Sequence, residues 1–395
     1  MSDEPSSRLA EHDPWSVSTH DLQQALRDYR ADGRSAVVAT VVDVEGSAYR
    51  RPGAMMLIDP EQDSFGAITA GCLEGPVNDL AATVIESGEP IVETFDLMED
   101  DGEWGLGLGC NGVIDILLEP LDGSWDPVVA SLGNRNEIAT LTAIGSTDAA
   151  VSVGDRTLYD GKDVSEAAVR DGLPDPVTDE LVDRADALRD DGGSTTVSVT
   201  TDAGDLDVYL DWITPAPDLL LFGSQNDIHP VSKIGHEAGF RVIVASPRGA
   251  RSGAAQFPYA HEVETVRPME LGDAIEDPAR TSAVLMSHNL LEDRLALDAI
   301  LETSVPYVGL MGPRKRFDEL RQERLADDAD ELTQAELDRI ATPVGLDIGG
   351  GEPIQIALSI VSEALAVHNG RSGGRLKDQK GPIHERVESI PATDD

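Results

Sequence analysis

Asp218-Leu-Leu-Leu-Phe222-Gly223 and, one helix-length later, Gly239-Phe240-Arg-Val-Ile-Val-Ala245 are the stretches that decide the fold. Each holds a short, near-continuous apolar run of the kind a strand buried on both faces requires. Gly223 opens a loop, and the residues up to Ala238 read as a helix with Gly239 as its stop. Strand, helix, strand in that order makes a βαβ unit, so a parallel sheet is expected. Ser282–Met286 and Val305–Leu310 supply further strands. Thr333-Gln-Ala-Glu336 matches a capping box. Ile354 to Val367 reads as a helix with Ile354, Ala357, Leu358, Val361 and Leu365 on one apolar face. The expected fold class is α/β, with a Rossmann-like parallel-sheet domain at 218–370 and a polar, disordered tail over 371–395.

Upstream, the pattern is different. A helix is expected over Thr19–Tyr29, a buried strand over Ser35–Asp43, and a hairpin from Ala54–Asp59 and Phe65–Thr69. Pro76–Ser87 reads as a helix ending at Gly88, and strands follow near Ile91–Phe95 and Val113–Leu118. These form a mixed α/β N-terminal domain over 15–121. A middle region over 122–214 carries strands at Ile138–Ile144, Thr195–Thr200 and Leu206–Trp212, and is expected either to stand alone or to complete the N-terminal domain. Pro215-Ala-Pro217 is a stiff connector. No internal repeat is visible in the sequence.

Both cysteines of the chain fall in glycine-rich loops of the N-terminal domain: Gly71-Cys72-Leu-Glu-Gly75 and Gly107-Leu-Gly109-Cys110-Asn-Gly112. Glycines on either side let backbone approach a ligand, whereas a structural cysteine is commonly buried inside an element. Cys72 lies just ahead of a helix start, where positive partial charge lowers a thiol pKa. Arg50 and Arg51 can hold an anionic group or stand as surface arginines. Gly349 and Gly350, in Gly349-Gly-Gly-Glu-Pro353, precede a helix and read equally as a phosphate or pterin contact or as a tight turn. His288 ends an apolar strand, the end that faces the ligand crevice in open α/β sheets, although a lone histidine is more often structural or solvent-exposed. Gly223 begins a nucleotide-type loop, but Gln225 and Ile228 stand where later glycines of a dinucleotide fingerprint belong, and Ser246 stands where a ribose-binding acid belongs. NAD(P) binding is therefore weakly supported. Two cysteines with no C-x-x-C give no zinc ligand set, and no P-loop, nucleophile elbow or H-E-x-x-H is present.

The formal charge of −44 is spread along the whole chain. It reads as the acidic surface of a protein from a high-salt cytoplasm, where screening is short-ranged, or as a surface that recognises a basic partner. It speaks against nucleic-acid binding, which needs Lys and Arg against phosphates. The first 20 residues lack the apolar core of a signal peptide, and no apolar run is long enough to span a bilayer. A cytoplasmic location with reduced thiols is expected.

Taken together the motifs resemble the XdhC/CoxI family of maturation factors for xanthine dehydrogenase and related molybdenum hydroxylases. The family pattern G-S-x-P-R-x-P-G-A appears as Gly46-Ser-Ala-Tyr-Arg50-Arg-Pro-Gly-Ala54, with Tyr49 for the proline. G-G-C-L-E-G appears as Ala70-Gly-Cys-Leu-Glu-Gly75, and G-x-G-C-G-G as Gly107-Leu-Gly-Cys-Asn-Gly112. G-A-G-H/N-D-x-x-P appears as Gly223-Ser-Gln-Asn-Asp-Ile-His-Pro230, and T-H-D as Ser287-His288-Asn289. Tyr307-Val-Gly-Leu310, Gly312-Pro-Arg-Lys315 and Pro343-Val-Gly-Leu-Asp-Ile348 extend the match. The resemblance implies binding of molybdenum cofactor, its retention while a terminal sulfur is installed, and delivery to an apo-hydroxylase, with a cysteine desulfurase as second partner and a homodimer as assembly. Cys72 and then Cys110 are the implied contacts to molybdenum or its sulfur, with Gly71, Gly75, Gly109, Gly112, Arg50, Arg51, Gly223, His288, Gly349 and Gly350 around the pterin and its phosphate. The alternatives are an NAD(P)-dependent oxidoreductase and a noncatalytic adaptor between desulfurase and client.

Overall fold

The computed structural model describes residues 13–97, 112–166, 170–191, 193–247, 254–327 and 329–380. The chain divides into two compact units, one running to Pro215 and the other starting at Ala216.

The first unit is built on two antiparallel sheets. One contains β1 (Val37–Gly46), β2 (Met55–Ile58), β3 (Ser64–Gly66), β4 (Ile91–Asp96) and β5 (Gly112–Pro120), in the order β3-β2-β1-β5-β4. Helices α1 (Thr19–Ala31) and α2 (Glu74–Ser87) accompany it. Ser18 and Asp21 cap α1 reciprocally, and Gly88 ends α2 in the left-handed conformation at φ 72°. The other sheet contains β6 (Ile138–Ser146), β7 (Arg156–Tyr159), β8 (Val164–Glu166), β9 (Ser194–Thr201) and β10 (Gly204–Ile213), in the order β8-β7-β6-β10-β9. Helices α3 (Asp126–Gly133) and α4 (Asp175–Asp191) belong with it. On α2, Val77, Ala81 and Val84 are buried at helical spacing against the first sheet; on α4, Leu181, Ala185 and Leu188 repeat that spacing against the second.

A buried charge pair joins the two sheets. The Nη2 of Arg156 on β7 donates to both carboxylate oxygens of Glu119 on β5, at 2.6 and 2.8 Å, and its Nε donates to Thr142 Oγ1 at 3.0 Å. The guanidinium lies 5.0 Å from the ring centroid of Trp125. Asp211 on β10 is buried nearby. Burial pushes its carboxyl up to about 7, with the Tyr209 hydroxyl and the Arg156 charge pulling the other way.

The second unit is a parallel six-stranded sheet: β11 (Asp218–Phe222), β12 (Arg241–Ser246), β13 (Glu262–Thr265), β14 (Thr281–Leu285), β15 (Tyr307–Leu310) and β16 (Ile340–Ala341). Its order, β13-β12-β11-β14-β15-β16, is the doubly wound 3-2-1-4-5-6 arrangement of the Rossmann fold. Strands β11, β12 and β14 are almost wholly buried, as the apolar runs of β11 and β12 require. Helix α5 (Ile228–Glu237) connects β11 to β12, α6 (Leu290–Leu301) connects β14 to β15, and α7 (Arg314–Ala326) and α8 (Gln334–Arg339) lead to β16. Helix α9 (Pro353–His368) packs beside α5.

Two expectations need correction. Helix α2 starts at Glu74, not Pro76: the first-turn amides of a helix have no intrahelical partner, so Pro76 fits inside the turn. Helix α9 buries Ala357, Ile360, Val361 and Ala364, while Ile354 and Leu358 are 43 % and 48 % exposed. The face made by these four residues packs with α5 and the sheet, which leaves Ile354 and Leu358 pointing away from that contact.

Two measurements test these energetics. Arg156→Met leaves Glu119 buried without its cation and is expected to cost about 3–5 kcal/mol in denaturant unfolding, with Glu119→Gln in the same chain recovering part of the loss. Asp211 has a folded pKa above its unfolded value, so the native state holds the extra proton. Its contribution to stability is therefore lost as pH rises from about 4 to about 7, by up to roughly 1.4 kcal/mol per pH unit. Asp211→Asn should remove that component from the pH dependence of unfolding.

Candidate functional site

In the first unit, strand direction gathers the candidate residues. Strands β1 and β3 run toward the same edge of their sheet, and β2 and β5, antiparallel to β1, begin there. The β1–β2 turn with Arg50 and Arg51, the β3–α2 loop with Cys72, and the connector entering β5 at Gly112 therefore all emerge at one edge. Cys110 and Gly109 lie in that connector, outside the described residues. Arg50 and Arg51 are exposed, and neither makes an ion pair among the described residues.

Cys72 carries a free thiol, half-buried against the same apolar cluster that receives Ala48. Its loop is shaped by Glu74. This carboxylate is buried and accepts from the Thr69 amide at 2.8 Å and the Leu73 amide at 3.2 Å, and from the Thr69 hydroxyl. The acid at the start of α2 thus caps the loop that presents the thiol, the favourable end for negative charge. Gly71, at φ 107°, lies under the ring of Trp15: a Cβ there would sit 3.6 Å from Trp15 Cζ2. The Trp15 indole donates to the Thr69 carbonyl at 3.4 Å while the residue stays half exposed. Gly75 faces open space. Gly112 is required by packing instead, since a Cβ there would meet the Glu45 carbonyl at 2.6 Å.

In the second unit, β11 and β14 are neighbours from which the chain winds in opposite directions. The crevice beyond their carboxyl ends is where such sheets bind ligands. Gly223 leaves β11 there, and a Cβ on it would come 2.7 Å from the Met286 carbonyl. His288 leaves β14 there at φ 61°, left-handed backbone that a side chain rarely adopts. Its Nε2 is 2.7 Å from Asp227 Oδ2. The turn is held from both sides. Buried Asp293 accepts from the Ser287 amide at 3.2 Å and hydroxyl at 2.6 Å, and from Arg316 at 2.7 Å. Asn289 caps α6 through the amides of Leu291 and Glu292. Ser246, at the end of β12, is fully buried. Gly349 and Gly350 precede α9, where Gln355 Oε1 accepts from the amides of Gly351 at 3.0 Å and Glu352 at 3.2 Å. Those helix-start donors are thus satisfied within the chain.

Sequence reasoning missed Asp227, Glu74 and Trp15. Asp227 and Glu74 sit inside quoted motifs and carried a signal as their only acids. Trp15 lies in a polar leader and gave none.

An antiparallel unit presenting a cysteine loop, followed by a Rossmann-type unit, defines the class of protein. The family model for XdhC and CoxI matches residues 29–96, and the model for the XdhC Rossmann domain matches residues 219–364, more than half of the chain between them. The chain belongs to the XdhC and CoxI family. It is similar to a Bacillus subtilis protein named as a probable subunit of xanthine dehydrogenase, at 26 % identity over 354 residues covering 88 % of this chain and 96 % of the relative. A crystal structure described as a xanthine dehydrogenase from Bacillus halodurans matches with a TM-score of 0.68 at 25 % identity, over 89 % of this chain and 96 % of that one. An uncharacterised Escherichia coli protein, YqeB, is 27 % identical over 195 residues, 49 % of this chain and 35 % of its own length. Among the described residues no helix is long and apolar enough to cross a membrane.

His288 gives a clean separation of stability from function. His288→Gly relieves a left-handed side-chain position worth about 1 kcal/mol and loses an exposed pair worth at most about the same. Thermal unfolding is expected to change by no more than a few degrees, so any loss of ligand binding in this variant reports the side chain itself.

Proposed function

We propose that this protein is a maturation factor for a xanthine dehydrogenase-type molybdenum hydroxylase. It binds molybdenum cofactor as cargo, holds it while the terminal sulfur is installed, and delivers it to the apo-enzyme. The observation that carries this reading is the gathering of the Cys72 loop and the Arg50–Arg51 turn at one sheet edge, in a member of the XdhC and CoxI family.

The residues fit that cargo chemically. A thiolate is a soft ligand suited to molybdenum or its sulfur, and exposed guanidiniums suit the pterin phosphate. Gly75, with open space around it, leaves room for close approach near Cys72. Gly112 opens β5 at the same edge, and Cys110 and Gly109 precede it in sequence. A cysteine desulfurase is the fitting sulfur donor, a cytoplasmic hydroxylase the fitting client, and a homodimer the assembly the family resemblance implies.

A second reading, NAD(P) binding in the Rossmann-type unit, is favoured by the strand order and by Gly223 and His288 at its switch point. Gln225 in the loop and buried Ser246 at the end of β12 weigh against it.

Purification without oxygen, at high salt, from a molybdenum-replete host tests the first reading. Molybdenum and oxidised pterin near one per chain are expected for wild type, with several-fold less for Cys72→Ala and for Arg50→Ala with Arg51→Ala. Cofactor content that is unaltered in these variants overturns the assigned site. Wild-type protein that takes up no cofactor, even when offered it free, overturns the carrier reading in favour of an adaptor or a nucleotide-binding protein.

A further inference from the structure

The two sheets of the first unit have the same architecture. The elements α1-β1-β2-β3-α2-β4-β5 and α3-β6-β7-β8-α4-β9-β10 follow the same order, and the strands pair in the same order, 3-2-1-5-4 within each set. The correspondence extends to single residues. The β1–β5 register skips at Val42, between Val41↔Ile116 and Asp43↔Asp115. The β6–β10 register skips at Ile144, between Ala143↔Val208 and Gly145↔Asp207. A bulge is a built feature, so its recurrence on the same strand of both sets aligns them.

With the bulges superposed, the β1–β2 turn and the β6–β7 turn share three backbone hydrogen bonds at the end that enters the second strand. In the first, Val41 N donates to Ala54 O, Gly53 N to Val41 O and Ala54 N to Arg51 O, at 2.9, 2.9 and 3.1 Å. In the second, Ala143 N donates to Asp155 O, Gly154 N to Ala143 O and Asp155 N to Ser152 O, at 2.9, 2.8 and 3.1 Å. Gly53 and Gly154 have φ of 92° and 90°.

The two sets also meet reciprocally. A Cβ on Gly53 would sit 3.0 Å from Ser194, the residue that opens β9, and a Cβ on Gly154 would sit 2.4 Å from Pro90, the equivalent residue before β4. Strand β1 touches β9 and β6 touches β4. The bulge residues Val42 and Ile144 share one buried cluster with Leu117 and Tyr209, which occupy equivalent positions on β5 and β10. Patch i against patch j, repeated as j against i, is the signature of a two-fold interface.

We propose that the first unit is a covalently fused pseudo-dimer of one module, with its pseudo-two-fold axis through the Val42–Ile144 cluster. The copies have divided their labour, a statement that rests on the binding reading above. The first copy carries Arg50, Arg51 and Cys72. The second carries Val151 and Ser152 at the arginine positions, and joins β9 to β10 through Asp202 and Ala203 alone where the first has the long connector over 97–111. The second copy serves as a bed: Ser194, with Asp211 behind it, supports Gly53 and so holds the arginine turn. Each chain then offers one site at this edge, not two.

Hydrogen exchange on the full-length protein tests the pseudo-dimer without any ligand, so it can fail independently of the binding reading. Val42→Ala and Ile144→Ala should each raise exchange about tenfold in β1 and β5 and by a similar factor in β6 and β10, because either truncation opens the shared cluster. Exchange raised only in the copy that carries the substitution overturns the proposal. Ser194→Leu, or the smaller Ser194→Val should leucine not fold, should raise exchange across residues 47–55, while Ser194→Ala leaves it unchanged. Equal protection of that turn in all three variants overturns the supporting role of the second copy.

Discussion

The first unit depends on the pairing of Arg156 with Glu119. Two sheets meet there with both charges almost fully removed from water, a state that costs several kcal/mol per ion before the contact returns any of it. The geometry is correspondingly complete on the carboxylate side, where one guanidinium nitrogen serves both oxygens, and the Thr142 hydroxyl accepts from Nε. Tyr209 and Asp211 lie within reach of the same charges, and burial holds both toward their neutral forms. The pair is thus less a source of net stability than a constraint on how the sheets can meet, because any slip would leave a bare ion inside.

At the edge that carries Cys72, only the arginine turn is supported by the second sheet. The arginine turn rests on Gly53, which has room only because Ser194 is small and Gly53 has no side chain. The cysteine loop is set separately, by Glu74 gathering the Thr69 and Leu73 amides. In the second unit the equivalent work is done by Asp293 and Asn289, which tie down the residues either side of His288 and impose its left-handed backbone. Behind Cys72 and His288 lie buried polar contacts, and behind the arginine turn lies close packing.

The parallel sheet was legible because burial on both faces writes itself as continuous apolar runs, as at Leu219–Phe222 and Val242–Ala245. Short strands such as β8, β13 and β16 carried no such run and could not be read. The exposed position of Ile354 and Leu358 was hidden because helical spacing marks candidate faces without saying which neighbour arrives. The pairing of His288 with Asp227 joins two loops far apart in sequence, and only the strand order brings them together. The repeat escaped notice for a different reason. What its copies share is hydrogen-bond register, and of the residues that define it only a few, among them Thr40 and Thr142 or Gly53 and Gly154, kept their identity.

Fusion changes what an axis of symmetry can hold. Glu119 and Asp211 occupy equivalent places, but the place of Arg156 is taken in the other copy by Met55. Two separate identical chains would have to place either two guanidiniums or none beside the two acids. A single chain can place one cation, so Glu119 is neutralised by contact with Arg156 while burial pushes Asp211 toward its protonated form. The charge centre of the unit is therefore intrinsically lopsided, and a gene encoding only one copy could not reproduce it.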